Sequence, residues 1–159
     1  MKRISFVLTC LLLFSSVSAL AQSFGGGREV ALGFILGDPT GISGRFELNS
    51  RNSLSSALAS TSGLEHPHFH LDYLWMDQKR IETAFEPLGV YWGVGGRIQE
   101  REKKDKKDET TLGVRLPIGL LMKLDSPRSE VLAEAAPVIN IAPDIDVDFD
   151  IVIGFRVRF

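Results

Sequence analysis

The last eleven residues, Phe149 to Phe159, alternate without a break between two kinds of side chain. One parity holds Phe149, Ile151, Ile153, Phe155, Val157 and Phe159; the other holds Asp150, Val152, Gly154, Arg156 and Arg158. Successive side chains on a β-strand point to opposite faces, so the segment predicts a strand with one wholly apolar face and one charged or small face. A soluble sandwich would turn the apolar face inward and let its final residue fray into water. Here the final residue is itself an apolar-face aromatic, Phe159.

Seven more strands are expected upstream. The first runs over 29–36 with Val30, Leu32, Phe34 and Leu36 on one face, and the Gly37-Asp38-Pro39-Thr40-Gly41 turn follows it. The second, 42–48, sets Ile42, Phe46 and Leu48 against Ser43, Arg45 and Glu47; the third, 53–60, is small and polar. The fourth, 68–75, alternates Phe69, Leu71, Tyr73 and Trp75 with His68, His70, Asp72 and Leu74, before a long polar connection to Pro87. The fifth, 88–99, opposes Leu88, Val90, Trp92, Val94 and Ile98 to Gly89, Tyr91, Gly93, Gly95 and Arg97. A charge run, Glu100 to Glu109, is expected to be a solvated loop. The sixth strand, 112–124, carries Arg115 and the seventh, 130–141, carries Glu134 and Asn140, each opposite an apolar row.

The start of the chain reads as an address label. Lys2 and Arg3 precede an apolar run, Ile4 to Phe14, and a small-residue end at Ala19-Leu20-Ala21, which predicts signal cleavage before Gln22. About 11 apolar residues are too few to span a bilayer, which needs roughly 20 in a helix. The expected division is a signal peptide at 1–21 and one β-barrel domain at 22–159. Cleavage removes the sole cysteine, Cys10, and two positive charges, taking the net charge from −2 to −4. Disulfides and cysteine-based sites are thereby excluded, and a mildly acidic chain without a basic tail is not expected to bind nucleic acid.

The direction of the apolar face follows from its opposite. Arg45, Glu47, His68, His70, Asp72, Tyr91, Arg97, Arg115, Glu134, Asp150, Arg156 and Arg158 share the other parity and cannot form a dry soluble core, because an unpaired buried charge is very costly. A soluble, lipocalin-like barrel with an apolar ligand cavity would keep the alternation in reverse. The glycines among the polar positions (Gly93, Gly95, Gly113, Gly119, Gly154) suit a narrow, crowded lumen better than an exposed surface. The expected fold is all-β: a closed, antiparallel, eight-stranded, up-and-down transmembrane barrel, eight being the smallest even number bacterial barrels use.

With that pattern, the signal segment and the terminal Phe155-x-Val157-x-Phe159, the chain resembles the eight-stranded outer-membrane barrels of the OmpA-like and OmpX-like group. The stretches Gly37 to Gly44, Gly93 to Arg97 and Gly113 to Gly119 look like small barrels of that group described by fold rather than activity. The resemblance implies a bacterial outer-membrane location and contact with outer-membrane lipids and lipopolysaccharide. It also implies reading of Phe155, Val157 and Phe159 by the barrel-assembly machinery, and a monomer. One departure stands out: the group keeps its periplasmic turns short, whereas Asp77 to Glu86 falls on that side.

Tests for chemistry give no catalytic residue, cofactor or metal. His68, His70 and Asp72 share a strand face about 6.5–7 Å apart, as metal ligands can, but a polar lumen wall predicts such residues anyway. Lipid A deacylating barrels resemble His-x-Ser on one strand; here the chain reads His70-x-Asp72, with no serine in that strand. The expectation is no enzyme, but a structural lumen network of Arg45, Glu47, His70, Asp72, Arg97, Arg115, Glu134, Asp150 and Arg156. An outer-membrane lipid-modifying enzyme and a soluble periplasmic lipophile carrier are the alternatives.

Overall fold

A computed structural model describes residues 28–61, 66–83, 86–102 and 108–159. The signal segment with Cys10, Ala19 and Ala21 lies outside the described residues, as does the centre of the Glu100–Glu109 run. Nine antiparallel strands are present: β1 Val30–Asp38, β2 Thr40–Glu47, β3 Asn52–Thr61, β4 His66–Ile81, β5 Leu88–Glu102, β6 Asp108–Arg115, β7 Ile118–Asp125, β8 Arg128–Ala142 and β9 Asp146–Arg158. The strands pair in chain order around the ring, except that β6 and β7 both sit between β5 and β8, and β9 returns to β1 through Ala31↔Arg158 to Asp38↔Ile151. The closure reaches the last residue, where Phe159 N–H donates to Val30 O at 2.8 Å. A terminal residue that would fray in an open sheet is thus held in the ladder, and the ring of described strands closes on itself.

The expected sixth strand, 112–124, is two strands. β6 and β7 part at Leu116-Pro117, and both pair with β5 on one side and β8 on the other. Proline has no N–H to give to a ladder, so the run is interrupted there. The described residues therefore hold nine strands where eight were expected.

A second correction concerns the connection after Trp75. β4 continues to Ile81 across an irregularity between Met76 and Arg80, leaving only 82–87 between it and β5. The charged stretch Asp77-Gln78-Lys79-Arg80 breaks the alternation and so hides a strand that goes on. The long turn that set this chain apart from the barrels it resembles is not there. The charge run is likewise shorter as a loop than expected, since β5 reaches Glu102 and β6 starts at Asp108.

Local chemistry fixes the turns. Gly37 has φ 139°, open to glycine and strained for other residues. Its N–H donates to Thr40 Oγ1 at 3.1 Å, and that hydroxyl donates back to Gly37 O at 2.8 Å. Between β2 and β3, Asn49 Oδ1 accepts from the N–H groups of Arg51 and Asn52, both at 2.9 Å, as an Asx turn does. The wall is lowest at the β1–β2 turn, where Asp38 lies beside Ile151, well inside β9.

The two faces separate as the alternation predicts. Ile42, Leu58, Trp92, Ile118, Phe149, Ile151 and Ile153 are exposed on the outside, while the residues between them in sequence are buried in the lumen. Away from the two rims, every described outward-facing side chain on the strands is uncharged. Charge inside and hydrocarbon outside is the reverse of a lipophile-carrying soluble barrel.

Candidate functional site: the charged lumen

Two ion-pair networks occupy the lumen. The first centres on Arg115 of β6, which is completely buried. Its guanidinium donates to Asp72 of β4, to Glu134 Oε1 of β8 at 2.7 Å and to Asp150 Oδ2 of β9 at 2.9 Å. A single side chain therefore ties three strands together across the barrel. Asp150 Oδ1 also accepts from Arg97 Nη1 at 3.0 Å, and Arg97 Nη2 reaches Asn140 Oδ1 at 2.9 Å and Asp148. Tyr91 adds a hydroxyl donated to Glu134 Oε2 at 2.7 Å.

The second network centres on Glu130, also completely buried. Arg45 donates from Nε and Nη2, the shorter contact being 2.6 Å, and Arg156 Nη1 donates at 3.2 Å. Arg156 then reaches Ser43 Oγ at 2.6 Å and Ser55 Oγ at 3.2 Å. Toward the mouth at the chain ends, Glu29 accepts from Arg45 at 3.1 Å and from Lys123 and Arg158 at 2.9 Å. Lys123 also donates to Glu47 at 2.9 Å. Arginine suits this role because its planar fork serves several acceptors at once, and buried charges stay ionised only when paired and hydrogen-bonded.

Ile35, Ala57, Leu74, Tyr91, Leu121, Leu132 and Val152 pack as an apolar cluster in the same lumen. Space for these large side chains comes from the glycines opposite them. A Cβ on Gly95 would lie 2.0 Å from Asp72 Oδ1 and 2.4 Å from Leu71 O; one on Gly119 would lie 2.4 Å from the Tyr91 hydroxyl. Replacing Gly95 with Val is expected to cost at least the roughly 1–3 kcal/mol typical of overpacking. Urea unfolding of the refolded protein reads this cost, with Gly96→Ala as the control, since no atom lies within 4 Å of the Cβ position there.

Of the residues singled out from sequence, Arg45, His70, Asp72, Arg97, Arg115, Glu134, Asp150 and Arg156 are buried in the lumen, and Glu47 is partly buried at its mouth. Arg115 and Glu134 form an ion pair at 2.7 Å between β6 and β8. Sequence reasoning omitted Glu130, Glu29, Lys123 and Arg158 from the network. Glu130 shares the parity of Glu134 and was readable on that signal; Glu29, the first residue of the expected first strand, lies opposite the apolar row of Val30, Leu32 and Phe34 and was readable in the same way. His68 and His70 face the lumen, with His68 Nε2 and His70 Nδ1 at 3.0 Å. At the chain end, Phe155, Val157 and Phe159 lie on the outer face, and the Phe155 ring is 6.0 Å from that of Phe34.

A closed antiparallel barrel with a charge-filled lumen and an apolar exterior is the class these features define. The structure is similar to the N-terminal β-barrel domain of Pseudomonas aeruginosa OprF, with a TM-score of 0.59 and 12% sequence identity. The alignment covers 83% of this chain and 96% of that domain, so the likeness is one of fold. No protein-family model matches the chain, and no curated protein matches it.

Proposed function

We propose that the chain is an integral outer-membrane β-barrel with a plugged polar lumen, serving a structural or surface-interaction role and catalysing no reaction. The observation that carries this reading is the uncharged outer face, continuous around the ring between its rims. In water such a surface would be a large aggregation hazard; in a bilayer it is the band that lipid requires. Among the described residues no helix is long and apolar enough to cross a membrane.

In this reading the nine strands act as eight spanning elements in up-and-down order, β6 and β7 filling one place. The ladder supports this, because it carries on through the break. Leu116 N–H donates to Pro137 O at 3.0 Å, and Gly93 N–H donates to Pro117 O at 2.8 Å. The turns β2–β3, β4–β5 and β7–β8 share the end at which Phe159 closes the ring, and would face the periplasm. On the outside Tyr73 meets Trp75 edge-on and Trp75 stacks on Trp92, the two indoles 4.6 Å apart, as an interfacial aromatic belt would. The opposite rim would meet lipopolysaccharide, Phe155, Val157 and Phe159 would be read by the assembly machinery, and the barrel would act as a monomer.

A lumen filled by paired arginines and acids is not a diffusion channel. Planar-bilayer recording of the purified protein is expected to show no stable large conductance; regular open steps would overturn the plugged lumen. Carbonate washing of cell membranes tests the integral placement, and release into the supernatant would contradict it. Lipid A mass spectra from cells with and without the gene are expected to match, and a difference in acylation would replace this reading with an enzymatic one.

A further inference from the structure

We propose that the lumen binds a divalent transition-metal ion through His68, His70 and Asp150. The nitrogen or oxygen ligand atoms of these three residues lie within 4.8 Å of one another, and all three residues are buried. Two come from alternate positions of β4 and therefore share a face; the third faces them across the lumen from β9. Two imidazoles and one carboxylate are a donor set for zinc and similar borderline ions, with a fourth position left for water. They offer too few oxygens for calcium. Ligand atoms around tetrahedral zinc stand about 3.3 Å apart, given bonds near 2.0 Å. The side chains therefore need only modest rotation to close on an ion.

The polar atoms around the cluster also point to a missing cation. His68 is 2% exposed, yet its Nδ1 has no hydrogen-bond partner; Asp72 Oδ1, beside the cluster, has none either. Buried polar atoms are ordinarily satisfied, and each exception calls for an explanation. In the lumen as a whole Arg45 and Arg156 share Glu130, and around the cluster Arg97 and Arg115 pair with the carboxylates of Asp72, Glu134, Asp150 and Asp148. The latter two arginines fix the Asp150 carboxylate from both oxygens, the outer-shell support that metal ligands commonly have. Asp72, the carboxylate that strand spacing alone would choose, is engaged by Arg115; its nearer oxygen stands 3.7 Å from His70 Nε2. The cluster lies toward the loop end of the barrel, since His68 is two residues into β4 and Asp148, with its side chain 21% exposed, precedes Asp150 on β9.

The test is calorimetric titration of zinc into the chelator-stripped, full barrel in detergent, against a competing chelator. One ion per chain is expected, with His68→Gln and His70→Gln each weakening binding by about tenfold or more. Both variants keep a polar side chain, and cold-versus-heated gel mobility shows whether each remains folded. Nitrogen NMR of the imidazoles supplies a readout that does not depend on the variants, because bound zinc shifts two ring nitrogens and leaves the rings uncharged. Binding that survives the double substitution, or an absence of stoichiometric binding, would overturn the proposal.

Discussion

Arg115→Leu is expected to be the most damaging single substitution in the lumen, costing about 3–5 kcal/mol, the range seen when one partner of a buried ion pair is removed. The guanidinium is completely buried and satisfies Asp72, Glu134 and Asp150 at once. Leucine fills much of the volume but leaves three buried carboxylates without their donors. Arg115→Lys keeps the charge and loses the fork, so an intermediate loss is expected. The urea midpoint of the refolded barrel in lipid vesicles measures all of these. Combining Arg115→Leu with Glu134→Gln should lose less than the sum of the two single losses, because the second change removes one stranded charge. Full additivity would mean that the two groups do not act as a pair.

A charge placed on the outer face is the second large effect. Ile153→Arg is expected to cost roughly 2–4 kcal/mol if its depth is near the bilayer midplane, and Val147→Arg, close to the loop rim, only about 0–1 kcal/mol. Ile153 is 60% exposed and Val147 63%, so no packing argument separates the two sites. Only a surrounding hydrocarbon layer makes them differ. Equal, small costs for both, measured in vesicles, would point to water around the barrel.

Much of this architecture was legible because a barrel wall enforces a two-residue period. The parity that put Phe149, Ile151 and Ile153 outside also put Asp150, Arg156 and Arg158 inside, and it located even the small, polar third strand. Where the period lapses, the reading failed. β4 runs on through Asp77 to Arg80 over an irregularity in its pairing, and near the rims neither face needs to be apolar. Pro117 sits within an intact alternation, so nothing in the pattern announced that it would divide β6 from β7.

The site was legible as a set of residues but not as a set of contacts. Parity says which side chains enter the lumen. Which of them meet depends on strand stagger around the closed ring, which no single strand encodes. Asp72 and Asp150 are far from Arg115 in sequence, yet both bind it; Glu130 looked like a strand terminus and is a hub between Arg45 and Arg156. The metal cluster shows the same limit, pairing His68 and His70 with Asp150 from across the barrel.

The most direct test of a lipid-embedded, inward-charged barrel uses the absence of cysteine from 22–159. Single cysteines at the outward positions Phe149, Ile151, Ile153, Phe155 and Val157 can each carry a spin label in a vesicle-reconstituted barrel. The expected result is collision with oxygen dissolved in lipid that is strongest in the middle of the series and falls toward both ends, with little access for a water-soluble nickel reagent at the centre. Strong nickel access at Ile151 and Ile153 would place that face in water and contradict the account.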